Sequence, residues 1–395
     1  MPDDLLHRWL TADQAAERLG VKTATLYAYV SRGVLLRRKS AEGHSLFDPA
    51  EVDRLARRGR PRRQAGTSEV TIASRVTTLG EDRPYFRGHD ALGLAVNHSF
   101  EEVADLLWDD GGGSWDAPAE AVALARAAQA GLPPDVLPIE RLQVAVPILA
   151  VLDPLRHHRD PDTVATIGRS LVVGLVECLP AAIDPPAGPV GGCVAARLWP
   201  RITARSTDDV LLGALDIALC LLADHELAAS TLAARVAASV RADPYAVVLA
   251  GIGAMGGSLH GGASLAVESL LAEIGEPANA GRVIGQRQRR GERVPGFGHV
   301  VYRDRDGRAD TLLDALRGAG VPMDLTDAVL AEAGRRGLPA PNIDLALGAF
   351  SRAADMITGG GEAIFAIART VGWLAHAVEE YENPTRLRLR AHYTG

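Results

Sequence analysis

Aromatic residues are only 5% of the 395-residue chain, and lysine is nearly missing: Lys22 and Lys39 are the two lysines among 42 basic residues. Cysteine is also scarce. Cys178, Cys193 and Cys220 form an odd set with no CxxC pair, which excludes a disulfide framework and fits buried thiols in a reducing cytosol. No uncharged apolar run reaches about 18 residues, so no membrane-spanning helix is expected. The acidic start Met1–Asp4 is unlike the basic segment of a signal peptide, and a cytoplasmic location is expected. There is no GxSxG elbow, no HxxxH or HxxE cluster at His225, His260 or His299, and no Lys-Ser/Thr after the Gly359–Gly361 run. Those absences argue against a serine hydrolase, a zinc site and a P-loop.

What is present is small and apolar. Hydrophobic residues make up 47% and glycines number 41, a composition suited to closely packed helices. At about 150 residues per domain the length suggests two or three domains. Charge is uneven. Residues 1–65 carry 13 Lys/Arg against 8 Asp/Glu, although the whole chain is −7. A basic head on an acidic body points to an anionic partner for the head.

The head reads as a compact unit. Thr11 with Gln14 is a capping box, Ala15, Ala16 and Leu19 form a stripe, and Gly20 stops the helix. Thr23 is expected to cap a second helix carrying Leu26, Tyr29 and Val30, ended by Gly33. Arg37, Arg38 and Lys39 then precede a hairpin, and Asp48-Pro49 opens a third helix to about Arg58. "LTADQAAERLGVKTATLYAYVSRGVL" resembles the winged helix-turn-helix domain of the MerR and excisionase families. The resemblance implies DNA as partner, with Lys22, Thr23, Thr25 and Tyr27 in the major groove and Arg37, Arg38 and Lys39 on phosphates. It sets a domain at 1–60, with 61–68 as a basic linker.

From Glu69 the chain reads as mostly helical. Residues 68–79 alternate β-branched side chains and suggest a short strand pair. Ser99 opens a helix. Further helices are expected near 117–130, 139–153, 161–178, 208–223, 229–242, 244–273, 310–319, 325–336, 342–354 and 361–381. Gly251–Gly256 matches GxGxxG, but a dinucleotide site needs a preceding strand, and Asp243-Pro244 caps a helix instead. These glycines are expected to let helices approach closely.

Four residues stand in unusual company: His225 between two acids, His260 and His299 among glycines, and Asp344 alone in an apolar segment. Neutral imidazoles with a carboxylate are the equipment for enolisation without metal. The carboxylate takes a proton next to a carbonyl, and an imidazole donates to the enolate oxygen.

The motifs around them are recognisable. "YFRGHDALGLAVNHSFEEVADLLW", "LLADHELAASTLAARVAASVRADPY", "GSLHGGASLAVESLL", "VPGFGHVVYRDRDGRAD", "NIDLALG", "FAIARTVGWLAHAVEEY" and "RLRLRAHYTG" resemble the citrate synthase family, in family order, over about 69–395. The resemblance implies a mainly α fold, with a large helical domain (69–262 and 353–395) and a small one (263–352). It implies condensation of an acyl-CoA with oxaloacetate in a homodimer. His260 would polarise the thioester, Asp344 would remove the methyl proton and His299 would protonate the ketone. His225, Arg303 and Arg369 would bind oxaloacetate, joined by Arg388 from the partner subunit. Arg287, Arg289, Arg290 and Arg293 would meet the phosphates of coenzyme A. No cofactor or metal is implied. Departures include Ala228 for the usual Asn, Ser258 for Pro, Asp306-Gly307-Arg308-Ala309 for "DPRA", and Leu389 for Pro. The alternatives are a 2-methylcitrate synthase using propionyl-CoA, and a DNA-binding regulator whose synthase body senses metabolites.

Overall fold

The computed structural model describes residues 9–19, 21–31, 34–40, 43–49, 51–52, 55, 72–182, 192–206, 208–258 and 260–388. The chain divides into two compact units, Met1–Ala73 and Ser74–Gly395.

In the first unit β1 (Leu10–Thr11) leads into α1 (Ala12–Arg18). The capping box forms as the sequence requires: Thr11 Oγ1 accepts from Gln14 N at 3.4 Å, and Gln14 Oε1 accepts from Thr11 N at 3.0 Å. α2 (Thr23–Ser31) follows. Thr23 is its first helical residue rather than its cap, because the Lys22 carbonyl already accepts from Thr25 N and Leu26 N. β2 (Arg38–Lys39) and β3 (Ser45–Phe47) form the expected hairpin, and β1 adds a third antiparallel strand with Leu10 opposite Phe47. Ala15, Ala16, Leu26, Leu35, Phe47 and Val52 close the core. Pro49, Glu51 and Val52 are helical. The end of the expected third helix and the 61–68 linker lie outside the described residues.

The second unit opens with an antiparallel meander, β4 (Thr77–Leu79), β5 (Pro84–Phe86) and β6 (His89–Asp90). The stretch expected to hold a strand pair supplies one described strand. Its partner lies further on, because Gly80 N donates to Arg83 O at 2.8 Å and reverses the chain there. Helices then follow: α3 (Ala91–Asn97), α4 (Phe100–Trp108), α5 (Ala119–Gln129), α6 (Pro138–Val151), α7 (Pro161–Cys178), α8 (Val194–Ile202) and α9 (Asp209–Leu222). After them come α10 (Ala229–Ser239), α11 (Pro244–Met255), α12 (Gly262–Ile274), α13 (Ala280–Arg289), α14 (Gly307–Gly318), α15 (Asp324–Arg335), α16 (Ile343–Ala353) and α17 (Gly360–Glu382). Side chains fix most starts. Ser99, Asp160, Asp208 and Asp243 each accept backbone N–H bonds at the heads of α4, α7, α9 and α11.

α17 is the centre. It is buried on every side from Gly360 to Ala377, a mostly apolar stretch that carries Glu362, Arg369 and His376 inside with it. α7, α10 and α11 pack against it, and small residues set how closely. A Cβ at Gly251 would sit 2.5 Å from the Trp373 ring. That contact explains the GxGxxG match at its first position; Gly253 faces open space. A second, smaller core joins Val267, Leu270, Leu271 and Ile274 of α12 to Val283 and Ile284 of α13, Val329 of α15 and Leu345 of α16.

One expected helix is two. The apolar stretch 244–273 breaks between Met255 and Gly262, where His260 N returns to Gly257 O and Gly261 N to Met255 O, both at 2.9 Å. Apolar periodicity runs through both halves and hides the break, but the glycines allow it. Cys178 and Cys220 are buried as expected; Cys193 is exposed at the head of α8. No described helix is long and apolar enough to cross a membrane.

Substituting Gly251→Val should lower stability by about 1–3 kcal/mol, since the added methyls press on Trp373. Thermal unfolding reads this directly; a melting temperature equal to wild type would contradict the close packing of α11 on α17.

Candidate active site

Three backbone turns deliver the three histidines. His225 follows α9, at the turn Asp224–Glu226, where Glu226 adopts φ +51°. His260 occupies the break between α11 and α12. His299 ends a turn made by Gly296 and Gly298, with φ +83° and +85°, a conformation that favours glycine. Asn342 ties that last turn to α16. Its N–H donates to Gly296 O and its Nδ2 to Gly298 O, both at 2.9 Å, while its Oδ1 caps Asp344 N at 3.1 Å. Asp344 therefore sits in the first turn of α16, fixed relative to His299.

Asp306 draws a further group in. Its carboxylate takes Arg308 Nε and Nη2 at 2.9 and 2.8 Å and also accepts Ile343 N at 3.1 Å. One side chain thus binds the head of α14 to the head of α16 and holds Arg308 in electrostatic reach of Asp344. Arg369 projects from the middle of α17. Its Nε donates to Leu222 O at 2.7 Å and its guanidinium stacks 4.7 Å from the Phe365 ring, but Nη1 and Nη2 have no partner among the described residues.

The rings converge. His225 and His299 meet edge to face at 5.2 Å, and His299 stacks on Tyr302 at 4.9 Å. His225 Nε2 lies 3.1 Å from the Tyr302 hydroxyl, and Arg308 covers the Tyr302 ring at 5.0 Å. His260 packs edge-on to Phe365 at 5.8 Å and its Nε2 is 2.7 Å from Ser230 Oγ. The charge of Arg369 reaches His225, His260 and Asp344; that of Arg308 reaches His225, His299 and Asp344.

All three imidazoles are neutral at pH 7. Burial, then Arg369, pushes His260 down to about 4. Burial, then Arg308, does the same to His299, also to about 4, against the opposing pull of Asp306. His225 is driven well below its ordinary range by burial and both arginines. Asp344 moves the other way. Burial raises it to about 7, outweighing Arg308 and Arg369. Its Oδ1 has no partner among the described residues. A neutral His299 carries one proton, and its place is fixed. Nδ1 accepts from Val301 N at 3.1 Å and Tyr302 N at 3.2 Å, so Nε2 holds the hydrogen.

The expected residues do not all gather. His225, His260, His299, Asp344 and Arg369 come together. Arg303 is exposed, whereas Arg308, five residues on, is buried beside the cluster. Arg388 lies exposed after α17. Arg287 and Arg290 are paired with Glu273 and Glu292, at 3.1 and 2.7 Å, while Arg289 and Arg293 are exposed without an ion pair among the described residues. In the first unit Lys22, Tyr27, Arg37, Arg38 and Lys39 are exposed, Thr23 and Thr25 half-buried; Tyr27 donates to Ser45 Oγ at 3.2 Å and Arg38 lies over the Trp9 ring at 5.6 Å. Sequence reasoning missed Arg308, Tyr302, Ser230 and Phe365 as members of the site. All four lie inside the motifs that pointed to it.

Asp344 must be ionised to accept a proton, and the histidines are already neutral above about pH 4. The kcat/KM of the enzyme should therefore rise as pH passes through about 7. A pH–rate profile flat from 6 to 8 would contradict the buried-base geometry.

Comparison with known proteins agrees with this arrangement. The family described as citrate synthase, C-terminal domain, matches residues 66–390, and a helix-turn-helix domain matches residues 9–60. Citrate synthase 2 of Bacillus subtilis (strain 168) is 31% identical over 358 residues, covering 82% of this chain and 94% of that protein. The 2-methylcitrate synthase of Mycobacterium tuberculosis (strain H37Rv) is 30% identical over 356 residues, covering 83% and 88%. Among solved structures, the citrate synthase of Thermotoga maritima MSB8 superposes with a TM-score of 0.66 at 24% identity, covering 84% of this chain and 96% of that one. A helical body with a His–His–Asp cluster, matched by the family over most of its length, makes the chain a member of the citrate synthase family of acyl-CoA–oxaloacetate condensing enzymes, carrying an amino-terminal helix-turn-helix domain.

Proposed function

We propose that the protein condenses acetyl-CoA with oxaloacetate and water to give citrate and CoA. The observation that carries this reading is Arg369: a buried guanidinium offering two unpaired nitrogens beside neutral imidazoles and a buried carboxylate. Such a group awaits a carboxylate, and a fork of two nitrogens suits one bidentately. Oxaloacetate has two carboxylates, and Arg308, rather than the exposed Arg303, is the second buried cation beside the cluster.

In this mechanism Asp344 removes a proton from the acyl α-carbon. His260 donates to the thioester oxygen from the nitrogen opposite Ser230, which makes Nδ1 the donor and Nε2 the acceptor of the serine hydroxyl. The enol carbon attacks the ketone of oxaloacetate. The new alkoxide takes its proton from His299 Nε2, the nitrogen left free by the backbone bonds to Nδ1. Water then cleaves the thioester and releases CoA. Arg289 and Arg293, the arginines without ion pairs, would meet the CoA phosphates. No step calls on a metal or redox cofactor.

The relatives include both citrate and 2-methylcitrate synthases, so propionyl-CoA is the alternative acyl donor. The assay is CoA release from acetyl-CoA and propionyl-CoA with oxaloacetate. Acetyl-CoA should be preferred, and Asp344→Asn should lower kcat by about a thousandfold or more with the fold intact. Release of CoA from neither donor would overturn the reading, and full activity in Asp344→Asn would overturn the base.

In the same reading the enzyme is a homodimer and Arg388 completes the site of the partner subunit. Arg388→Ala and Asp344→Asn should each be inactive alone. Mixed and refolded together, they should regain activity, because each mixed dimer then holds one site with both groups. No recovery in demonstrably mixed dimers would place Arg388 outside the partner's site.

The helix-turn-helix unit is proposed to bind DNA through Lys22, Thr23, Thr25 and Tyr27, with Arg37, Arg38 and Lys39 on phosphates. The exposure of Lys22, Tyr27, Arg37, Arg38 and Lys39 on one small basic unit favours this. A gel-shift titration against salt should show affinity falling steeply, and Arg37→Ala with Arg38→Ala should flatten that slope.

A further inference from the structure

Behind the site, on the far side of Arg369, lies a buried cluster that the condensation mechanism does not use. Asp224, His376 and Glu380 are fully buried, and Arg235 is 2% exposed. Arg235 Nε donates to Glu380 Oε1 at 2.7 Å, and its Nη1 donates to Glu379 Oε2 at 2.7 Å and to His376 Nδ1 at 2.8 Å. The last contact settles the state of His376. A guanidinium has no acceptor, so Nδ1 must accept, and the ring proton must be on Nε2. His376 Nε2 lies 3.3 Å from Asp224 Oδ2 and donates to it. Arg235 thus orients a neutral imidazole, and the imidazole orients a carboxylate.

That carboxylate acts on both dicarboxylate-binding groups without bonding either, one through its turn and one through its charge. Asp224 Oδ2 also accepts Glu226 N at 3.0 Å, which closes the turn around His225 and supports the left-handed Glu226. Oδ1 has no partner among the described residues and lies against α17 at Gly372, where a Cβ would come within 2.2 Å of it. Gly372 is three residues from Arg369, on the face that the segment 222–224 packs against: Arg369 Nε donates to Leu222 O, and Gly372 N donates to Ala223 O at 3.0 Å. Arg369 and His376 are one turn either side of Gly372, so they bracket Asp224.

We propose that Asp224 is a positioning residue for oxaloacetate binding, holding His225 through its turn and Arg369 through its charge, and that His376 is the side chain that aims it. The proposal rests on the reading of Arg369 and His225 as dicarboxylate groups. The charge balance agrees with it. Burial opposes ionisation of Asp224, yet the hydrogen bond from His376 and the charge of Arg369 hold the carboxyl below its ordinary range. Burial lowers Arg369 to about 10, and Asp224 is the largest influence holding its charge in place. Thr77 and Ser74 are the neighbouring hydroxyls; the Ser74 Oγ is 3.5 Å from His376 Nδ1. Neither can replace the imidazole between Arg235 and Asp224.

The test uses the full chain with Asp224→Asn, His376→Leu and His376→Gln, read by steady-state kinetics. The Gln amide can accept from Arg235 and still donate to Asp224; Leu can do neither. The KM for oxaloacetate should rise about tenfold or more in Asp224→Asn and His376→Leu, as expected for a lost buried bond to a charged group. The kcat and the acyl-CoA KM should stay within about threefold, and His376→Gln should recover most of the oxaloacetate affinity. A fall in kcat with KM unchanged would mean less folded enzyme and would overturn the proposal, as would Gln behaving like Leu. If Asp224→Asn does not fold, the two His376 variants still decide it. Calorimetry of oxaloacetate with wild-type protein separates the two failures. Binding by wild type with unaltered KM in the variants overturns this inference alone; no binding by wild type overturns the site reading and the inference with it.

Discussion

A guanidinium buried in the middle of a 23-residue helix, with only its Nε satisfied among the described residues, is costly to keep. An unpaired buried charge costs several kcal/mol. The fold spends its other charges around that one. Asp224 lies against Gly372, three residues from Arg369, Asp306 neutralises Arg308 two residues on, and the charges of both arginines reach Asp344. Asp306 is held by Arg308 and Ile343 N, and Asp224 by His376 and Glu226 N.

The same economy governs protons. Burial beside two cations keeps His260, His299 and His225 neutral. A neutral imidazole has a single N–H, so direction matters more than acidity. The protein sets direction with groups that can act only one way. Two backbone N–H groups force His299 Nδ1 to accept, and a guanidinium forces His376 Nδ1 to accept. In both rings Nε2 is left to donate, and in His376 it donates to Asp224. Asp344 is raised to about 7 by the same burial, which leaves it basic enough to take a proton and not so exposed that water competes.

Much of this was legible in the residues. The Thr11–Gln14 box, the helix opened by Ser99 and the Asp243-Pro244 start of α11 read directly as structure, because each depends on neighbours within a turn. The five site residues from separate motifs also gathered as the family resemblance implied. What failed depended on where a turn points. Arg303 and Arg308 lie almost equally near His299 in sequence, but Asp306 captures only Arg308 and pulls it inside. The break at Gly256–Gly261 was hidden by apolar periodicity on both sides. The His376–Asp224 pair escaped notice because nothing in one sequence says that residues 152 apart share a proton.

The central claim is that Asp344 and His260 enolise an acyl thioester once the arginines hold a dicarboxylate. A dicarboxylate without a ketone, such as malate, fills the arginine site but cannot accept the carbon. The direct measurement is mass spectrometry of acetyl-CoA after incubation with the protein and malate in deuterium oxide. The account predicts deuterium in the methyl group, dependent on malate and lost in Asp344→Asn. A methyl group that stays fully protonated, with both ligands bound, would contradict it.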